Sequence, residues 1–496
     1  MTPSVRRILL VNPPLVGGIA FTRQGRCQER EEVLGTTKPP YTLALTAALL
    51  RSRGVPLRLV DLTAEQRTTE SLVEDMRRAG FTPDVIVFPS TTPTLEADAL
   101  EMGKLKEAFG APLVAFGPQA SAAPAESMAR VPVIDAMIVG EPEDAIVALA
   151  LQNSFDPGAV PSLTWRRAGA LVPHVVHGTF TGFLDMPYPA WDLLDLRRYR
   201  LPMVGSPYVI VETSRGCPYS CDFCVAPIHQ GHKFRERSAK SLVDEIERSH
   251  RELGVEFFYL WGDTVTLNAK TFGAFCEELI ARNLDIRWFG NARADNLTDP
   301  AFVQRLRRSG CWMLAMGIES ASTDIRKDMV KRLDEQKIRA AFANLREAGI
   351  KSFGFFIFGY PGDTQASMDA TVDYAIELDV DFANFYPAVP YPGTELYEKC
   401  RREGLLADED WSRMEYSYYL LRGNGLDEEV VMTAINRARR RFFLRPGYLA
   451  SHFGDALRLA RTKPAIVGTL LSRILLGQKV TDPHPTPVPA PTARQA

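Results

Sequence analysis

Short apolar, β-branched runs alternate with longer amphipathic stretches along most of this 496-residue chain, and no other feature constrains its fold as tightly. From Val5 to about Leu151 the strand candidates are RILLVN, LRLVDL, DVIVFPS, PLVAFG and AMIVG. Helical patterns lie between them at about 41–53, 68–80, 94–109 and 121–130, and another starts at Glu141. Five successive βα units predict a parallel sheet covered by helices on both faces, with ligands bound outside the carboxyl ends of the strands. The turn segments NPP, PSTT, GPQ and GEPE all stand at those ends.

A second βα series runs through PYVIVETS, EFFYLWG, IRWFGNAR, WMLAMGIES, KSFGFFIFG and DFANFYPAVP. Six units predict a partial barrel with its chemistry at the strand carboxyl ends, as in a complete one. Between the two series, DMPYPAWDLLDLRRY contains X-Pro steps that resist continuous helix. The expected fold class is therefore α/β: a doubly wound, Rossmann-like domain over 1–150, a linker over 151–200, a partial (β/α)6 barrel over 201–400 and a helical carboxyl-terminal segment over 401–480. The Pro-rich end, 481–496, reads as disordered.

Lys and Arg total 58 against 60 for Asp and Glu, so the net charge of −2 gives no global field for nucleic acid. The start, MTPSVRRILLVNPP, reads as a first strand rather than a signal peptide, and no apolar run is long enough to span a bilayer. A cytoplasmic, reducing location follows as an expectation, and there clustered cysteines serve metals or redox chemistry more often than disulfides.

Three of the seven cysteines fall in SRGCPYSCDFCVAP, at Cys217, Cys221 and Cys224. The spacing lets one loop wrap three thiolates around a metal centre. A disulfide would leave one over; a zinc site would need a fourth ligand, which His229 or His232 could supply, and would make the protein a zinc-stapled, non-catalytic binding module. Three ligands on a four-iron cluster instead leave one iron open to an exogenous group. The loop follows the first strand of a βα barrel, where reactive sites collect.

The pattern CxxxCx(aromatic)C, with Phe223 before the last cysteine, resembles the radical S-adenosylmethionine (SAM) superfamily. The resemblance implies a [4Fe-4S] cluster on Cys217, Cys221 and Cys224, SAM chelated to the open iron, and reductive cleavage of SAM to a 5′-deoxyadenosyl radical. It places the Phe223 backbone near the adenine, Gly262 and Asp263 at the SAM ammonium, and Asn291 and Arg293 at its carboxylate. Glu319 then fits a ribose contact, and Gly359 and Pro361 the adenine-side turn. The remaining barrel and tail cysteines read as core or surface residues, and Cys27 as a residue of a polar loop.

The first domain lacks GxGxxG after its first strand, so a dinucleotide is disfavoured. A five-unit doubly wound domain before such a barrel resembles the cobalamin-binding radical SAM family, through NPP, KPPYTLALTAALL, PSTTPT, GPQASAAPAE and VGEPEDAI. That resemblance puts Ser90 and Thr91 against the corrin and Pro118 and Gln119 at the edge of the same crevice; the family often has His where Gln119 stands. No histidine precedes His174, so this domain has no imidazole to offer cobalt from below.

The implied activity is methyl transfer to an unactivated carbon, with radical cyclisation or oxidation by the same parts as the alternative. The implied partners are an apolar, lipid-like or natural-product-like small molecule and an electron donor such as flavodoxin or ferredoxin. Asn436 to Lys479 carries many arginines among Phe, Leu and Ile and one acidic residue, Asp455. It reads either as a helical cap with a solvated basic face or as an interfacial segment that meets anionic lipid at the inner face of the membrane.

Overall fold

Five short strands, most of them buried throughout, build the first layer in a computed structural model that describes residues 6–24, 28, 30, 37–201, 204–454 and 457. They are β1 (Ile8–Asn12), β2 (Leu57–Asp61), β3 (Val85–Pro89), β4 (Leu113–Phe116) and β5 (Ala136–Ile138), parallel in the order β2-β1-β3-β4-β5. β1 pairs with both β2 and β3, so the winding reverses there and the carboxyl ends of β1 and β3 flank a crevice.

The sheet does not stop at residue 151. β6 (Leu163–Arg167) and β7 (Ala170–Val172) extend it antiparallel from β5, inside the stretch expected as linker. Ala168 and Gly169 turn the hairpin with φ of 48° and 85°, the paired positive angles of a two-residue turn that matches strand twist. The alternation in LTWRRAGALV is the pattern of such a hairpin.

The second layer is β8 (Tyr208–Glu212), β11 (Phe257–Trp261), β12 (Arg287–Ala292), β13 (Cys311–Glu319), β14 (Lys351–Phe358) and β15 (Phe382–Pro387). All six are parallel and ordered β15-β14-β13-β12-β11-β8, a barrel left open between its first and last strands. A two-rung antiparallel ladder of β9 (Ser214–Arg215) and β10 (Arg235–Glu236) stands on the end of β8.

Alternation along the strands separates the barrel's two faces. Trp288 packs outward on Phe272 (5.6 Å) of the helix Ala269–Arg282, so Phe289 and Asn291 turn inward. Phe385 meets Phe356 (5.2 Å) and Phe442 (5.9 Å) on the outer side, which leaves Phe355 and Tyr386 on the inner wall, half-buried.

The helix Glu428–Phe443 covers β15 and the helix Gln365–Glu377. Arg437 reaches Asp369 (2.6 Å) and Arg441 reaches Asp373. Exposed pairs of this kind add little stability, but here they aim two arginines of the 436–479 segment at the barrel rather than at a lipid surface. Residues 455, 456 and 458–479 of that segment, and the 481–496 end, lie outside the described residues. Among the described residues no helix is long and apolar enough to cross a membrane.

Candidate active site

Cys217, Cys221 and Cys224 lie on the irregular loop between β9 and the short helix Ala226–Gln230, at the carboxyl end of β8. None of the three is in a disulfide, and all are half-buried. Gly216 allows the loop to start: its φ is 81°, and a Cβ there would stand 2.2 Å from the Lys233 carbonyl oxygen. The amide of Cys217 donates to the Gly231 carbonyl (3.1 Å), which closes the loop on itself.

Asp222, between two of the cysteines, ties the loop to the barrel. Its amide donates to the Met329 carbonyl (3.2 Å), its carbonyl accepts from Leu396 (2.9 Å), and its carboxylate accepts from the Tyr360 hydroxyl. Burial pushes the Asp222 carboxyl up, against the pull of that hydroxyl and of Lys399. Through Tyr360 the loop is fastened to the turn that holds Gly359 and Pro361.

Gly359 accepts no side chain, because a Cβ would stand 2.6 Å from the Tyr419 ring. Its amide donates to Asp363 (3.0 Å) and its carbonyl accepts from the Tyr419 hydroxyl (2.9 Å). Gly262 is similarly constrained, since a Cβ would meet the Ser214 hydroxyl at 2.6 Å; its smallness lets the ends of β8 and β11 close up, with Asp263 half-buried beside it.

Arg293, Glu319 and a lysine that sequence reasoning missed, Lys331, form one charged row beside the cysteine loop. Arg293 lies over the Tyr219 ring (3.9 Å), pairs with Asp295 (3.0 Å) and donates to the Lys331 carbonyl (2.8 Å). Lys331 donates to Glu319 (2.8 Å), with Glu319 buried and Lys331 half-buried. Burial alone would lower the Lys331 pKa, but the Glu319 carboxylate and the Cys221 thiol raise it, so the ammonium stays charged beside that cysteine.

The register of β13 on β14 shifts between Gly317 and Glu319, and Glu319 takes a φ of 70°. That irregularity re-aims the Glu319 carboxylate, as bulges near functional sites do. Asn291, on the inner wall, donates to the Tyr259 hydroxyl (3.0 Å). Phe223 is half-buried against the core.

In the first domain, a small cleft opens at the carboxyl ends of β1, β3 and β4, lined by Asn12, Arg23, Gln24, Lys38, Pro89 and Phe116 among others. Gln24 is buried, its carbonyl accepts from the Tyr41 amide (2.7 Å), and its Nε2 has no hydrogen-bond partner among the described residues. An orphaned donor on the wall of an open cleft is what a bound polar group would satisfy. The expected crevice residues stand differently. Thr91 is engaged in a capping box with Thr94, and Ser90 is wholly buried. Gln119 is buried, accepts from Thr92 (2.6 Å) and donates to Ser127 (2.9 Å). Pro118 opens the short helix Pro118–Ala122 beside it.

The two domains meet where these parts converge. Ser121, in that helix, bonds the His229 ring (3.0 Å). Burial lowers the pKa of His229 to about 4, so the ring is neutral. Among the described residues no three His, Cys, Asp or Glu side chains gather as one metal ion requires. Three separate thiols on one loop suit a cluster that offers each its own iron.

A doubly wound crevice abuts an open parallel barrel whose first strand ends in a three-thiol loop. Residues 211–375 match the model of the radical SAM superfamily. It is similar to an uncharacterized methyltransferase of Pyrococcus horikoshii, with 28% identity over 90% of this chain and 94% of the relative. An anaerobic magnesium-protoporphyrin IX monomethyl ester cyclase of Cereibacter sphaeroides shows 26% identity over 84% of this chain and 68% of the relative. Among solved structures, the cobalamin-dependent SAM radical enzyme OxsB, with aqua-cobalamin and SAM bound, shares the fold at a TM-score of 0.68 and 16% identity, over 95% of this chain and 71% of that one. The radical SAM methyltransferase TsrM of Kitasatospora setae, with tryptophan and a SAM analogue bound, does so at 0.66 and 16% over 89% and 90%.

Proposed function

We propose that this protein is a cobalamin-dependent radical SAM methyltransferase acting on an unactivated carbon of an apolar or natural-product-like small molecule. The observation that carries the reading is the loop of three half-buried cysteines at the end of β8, packed beside the crevice of a doubly wound sheet. When bound, the cluster supplies the electron that cleaves SAM, and cobalamin carries the methyl group.

Cys217, Cys221 and Cys224 hold the cluster and are the catalytic and metal-binding residues. Phe223, Gly359 and Pro361 border the adenine, Glu319 holds the ribose, Asp263 beside Gly262 takes the ammonium, and Asn291 with Arg293 takes the carboxylate. Arg293 and Lys331 supply the positive charge on that side. In the first domain Gln24 offers its free amide donor to the cofactor, while Thr91, Ser90, Pro118 and Gln119 shape the crevice. The inner wall of the barrel, with Phe289, Phe355 and Tyr386 half-buried, favours an apolar substrate. The chain needs a one-electron donor such as flavodoxin or ferredoxin.

The test is product analysis with the substrate, a strong reductant, cobalamin and SAM labelled in its methyl group. Methyl transfer predicts S-adenosylhomocysteine and 5′-deoxyadenosine in nearly equal amounts, with the label on carbon. Unlabelled product formed with 5′-deoxyadenosine alone replaces methyl transfer by cyclisation or oxidation.

A further inference from the structure

The geometry points to Glu141, in the GEPE turn of the first domain, as the positioning residue that holds the three-cysteine loop of the barrel domain from outside. The loop is a lasso. It leaves β9 at Arg215 and returns to β10 at Arg235, and these two residues are direct partners in the ladder. Both feet of the lasso are therefore arginines, and both are gripped by the same carboxylate.

Arg215 donates to Glu141 (3.1 Å) and, with its other nitrogens, to Glu143 (2.6 Å) and Glu212 (2.8 Å). Arg235 donates to the two oxygens of Glu141, one of them at 3.2 Å. The Phe180 amide adds a third donor at 2.6 Å. Glu141 and Arg215 are 2% and 3% exposed, so water cannot stand in for either partner. Charge-assisted forks of this kind fix orientation as well as distance.

The same turn secures the far side of the loop. The amide of Gly140 donates to Ser121 (3.0 Å), whose hydroxyl bonds His229 on the helix that follows Cys224. Within the barrel domain the neck is held by the backbone ladder and by Glu212. The direction in which it points relative to the first domain is set by Glu141 and Glu143. On the function proposed above, this residue aligns the cluster with the crevice; the loop geometry itself stands without that reading.

The test uses the full-length chain freed of any cluster, alkylated under native conditions and read by peptide mass spectrometry. The loop thiols are half-buried, whereas Cys276, Cys311 and Cys400 are buried and serve as the internal report of an intact fold. Burial holds the thiols of Cys276 and Cys400 up at about 12, which keeps them unreactive. Glu141→Gln and Arg235→Gln should each accelerate alkylation of Cys217, Cys221 and Cys224 about tenfold or more, with the core cysteines protected, since a lost hydrogen bond to a charged group is of that order. The double variant should add little to the larger single effect, because both remove one interaction.

Loop rates unchanged with the core protected would overturn the inference. If Glu141→Gln exposes the core cysteines, Arg235→Gln decides by the same criterion, and exposure of the core there too would show that the network holds the fold rather than the loop. In a parallel arm, cluster-loaded Glu141→Gln should take up iron as the wild type does but show a smaller SAM-induced change in the electron paramagnetic resonance of the reduced cluster. A wild type that takes up no iron would sink the proposed function and leave the alkylation result standing.

Discussion

Gly317 is the most exacting test of the charged row beside the cysteines. A Cβ at this position would stand 2.1 Å from Glu319 Oε1 and 2.8 Å from Lys331 Nζ, both closer than real contacts allow. Gly317 is not among the residues with positive φ, so alanine is compatible with its backbone. The far ends of two long side chains yield more easily than a strand in the middle of a sheet. Gly317→Ala should therefore leave the barrel folded and force Glu319 and Lys331 apart.

The size of the effect follows from what the pair does. A hydrogen bond between charged groups contributes about 1.5–3 kcal/mol. If the pair orients Glu319 toward the ribose of SAM, its loss weakens SAM binding about tenfold to a hundredfold. The assay is equilibrium binding of SAM to the cluster-loaded protein, beside a control at Gly354, one strand over. A Cβ at Gly354 would meet the Phe356 ring at 2.7 Å on the outward, helix-covered side. Gly354→Ala should lower the melting temperature and leave SAM affinity within about twofold, because its clash is with packing alone. SAM affinity retained by Gly317→Ala, or lost equally in the control, would refute the reasoning.

Three further outcomes are expected. Replacing Cys217, Cys221 and Cys224 together with alanine should abolish iron uptake and SAM cleavage, and one equivalent of zinc retained by the wild type after reconstitution with iron and sulfide would overturn the cluster assignment. Because no histidine precedes His174, cobalamin bound to the first domain should show no nitrogen superhyperfine splitting in its cob(II) form by electron paramagnetic resonance; splitting would show that an imidazole reaches the cobalt from elsewhere in the chain. His229 titrates near 4 in the folded protein because it is buried, so the unfolded chain takes up the proton first as pH falls. The seam around it should lose about 3 kcal/mol between pH 6.5 and 4, and His229→Asn should flatten that dependence in a pH series of thermal unfolding.

The alternation of strands and helices made both sheets legible, because a period of two beside a period near four survives any change of side chain that keeps the pattern. The three-cysteine loop was legible for a different reason: its spacing is local, so the chemistry sits in eight consecutive residues. The β6–β7 hairpin was readable in LTWRRAGALV but was obscured by the proline-rich stretch that follows it. Lys331 and Glu141 carried no such signal. Lys331 stands between two residues of left-handed φ, Val330 and Arg332, in a turn with no motif, and meets Glu319 only through the β13 irregularity. Glu141 was quoted as part of a turn, but its partners lie 74 and 94 residues away. Gln119 shows the converse, a position placed correctly at a strand end whose side chain is occupied by its neighbours.

Buried ion pairs cross the seam between the domains. Arg215 with Glu141 crosses it at the cysteine loop, and Arg30 with Glu415 (2.6 Å) crosses it at the carboxyl-terminal segment. There Trp411 also packs beneath the Arg130 guanidinium (3.9 Å). Buried ion pairs of this kind add less stability than well-packed hydrocarbon of the same volume, since both partners must leave water. An apolar seam, however, can slide by an ångström with little change in buried area, whereas a carboxylate forked between two guanidiniums loses its hydrogen bonds over the same distance. If, as proposed, a methyl group passes from the crevice of one domain to the lumen of the other, register across the seam matters more than its strength, and the buried pairs of Glu141 and Glu415 hold that register.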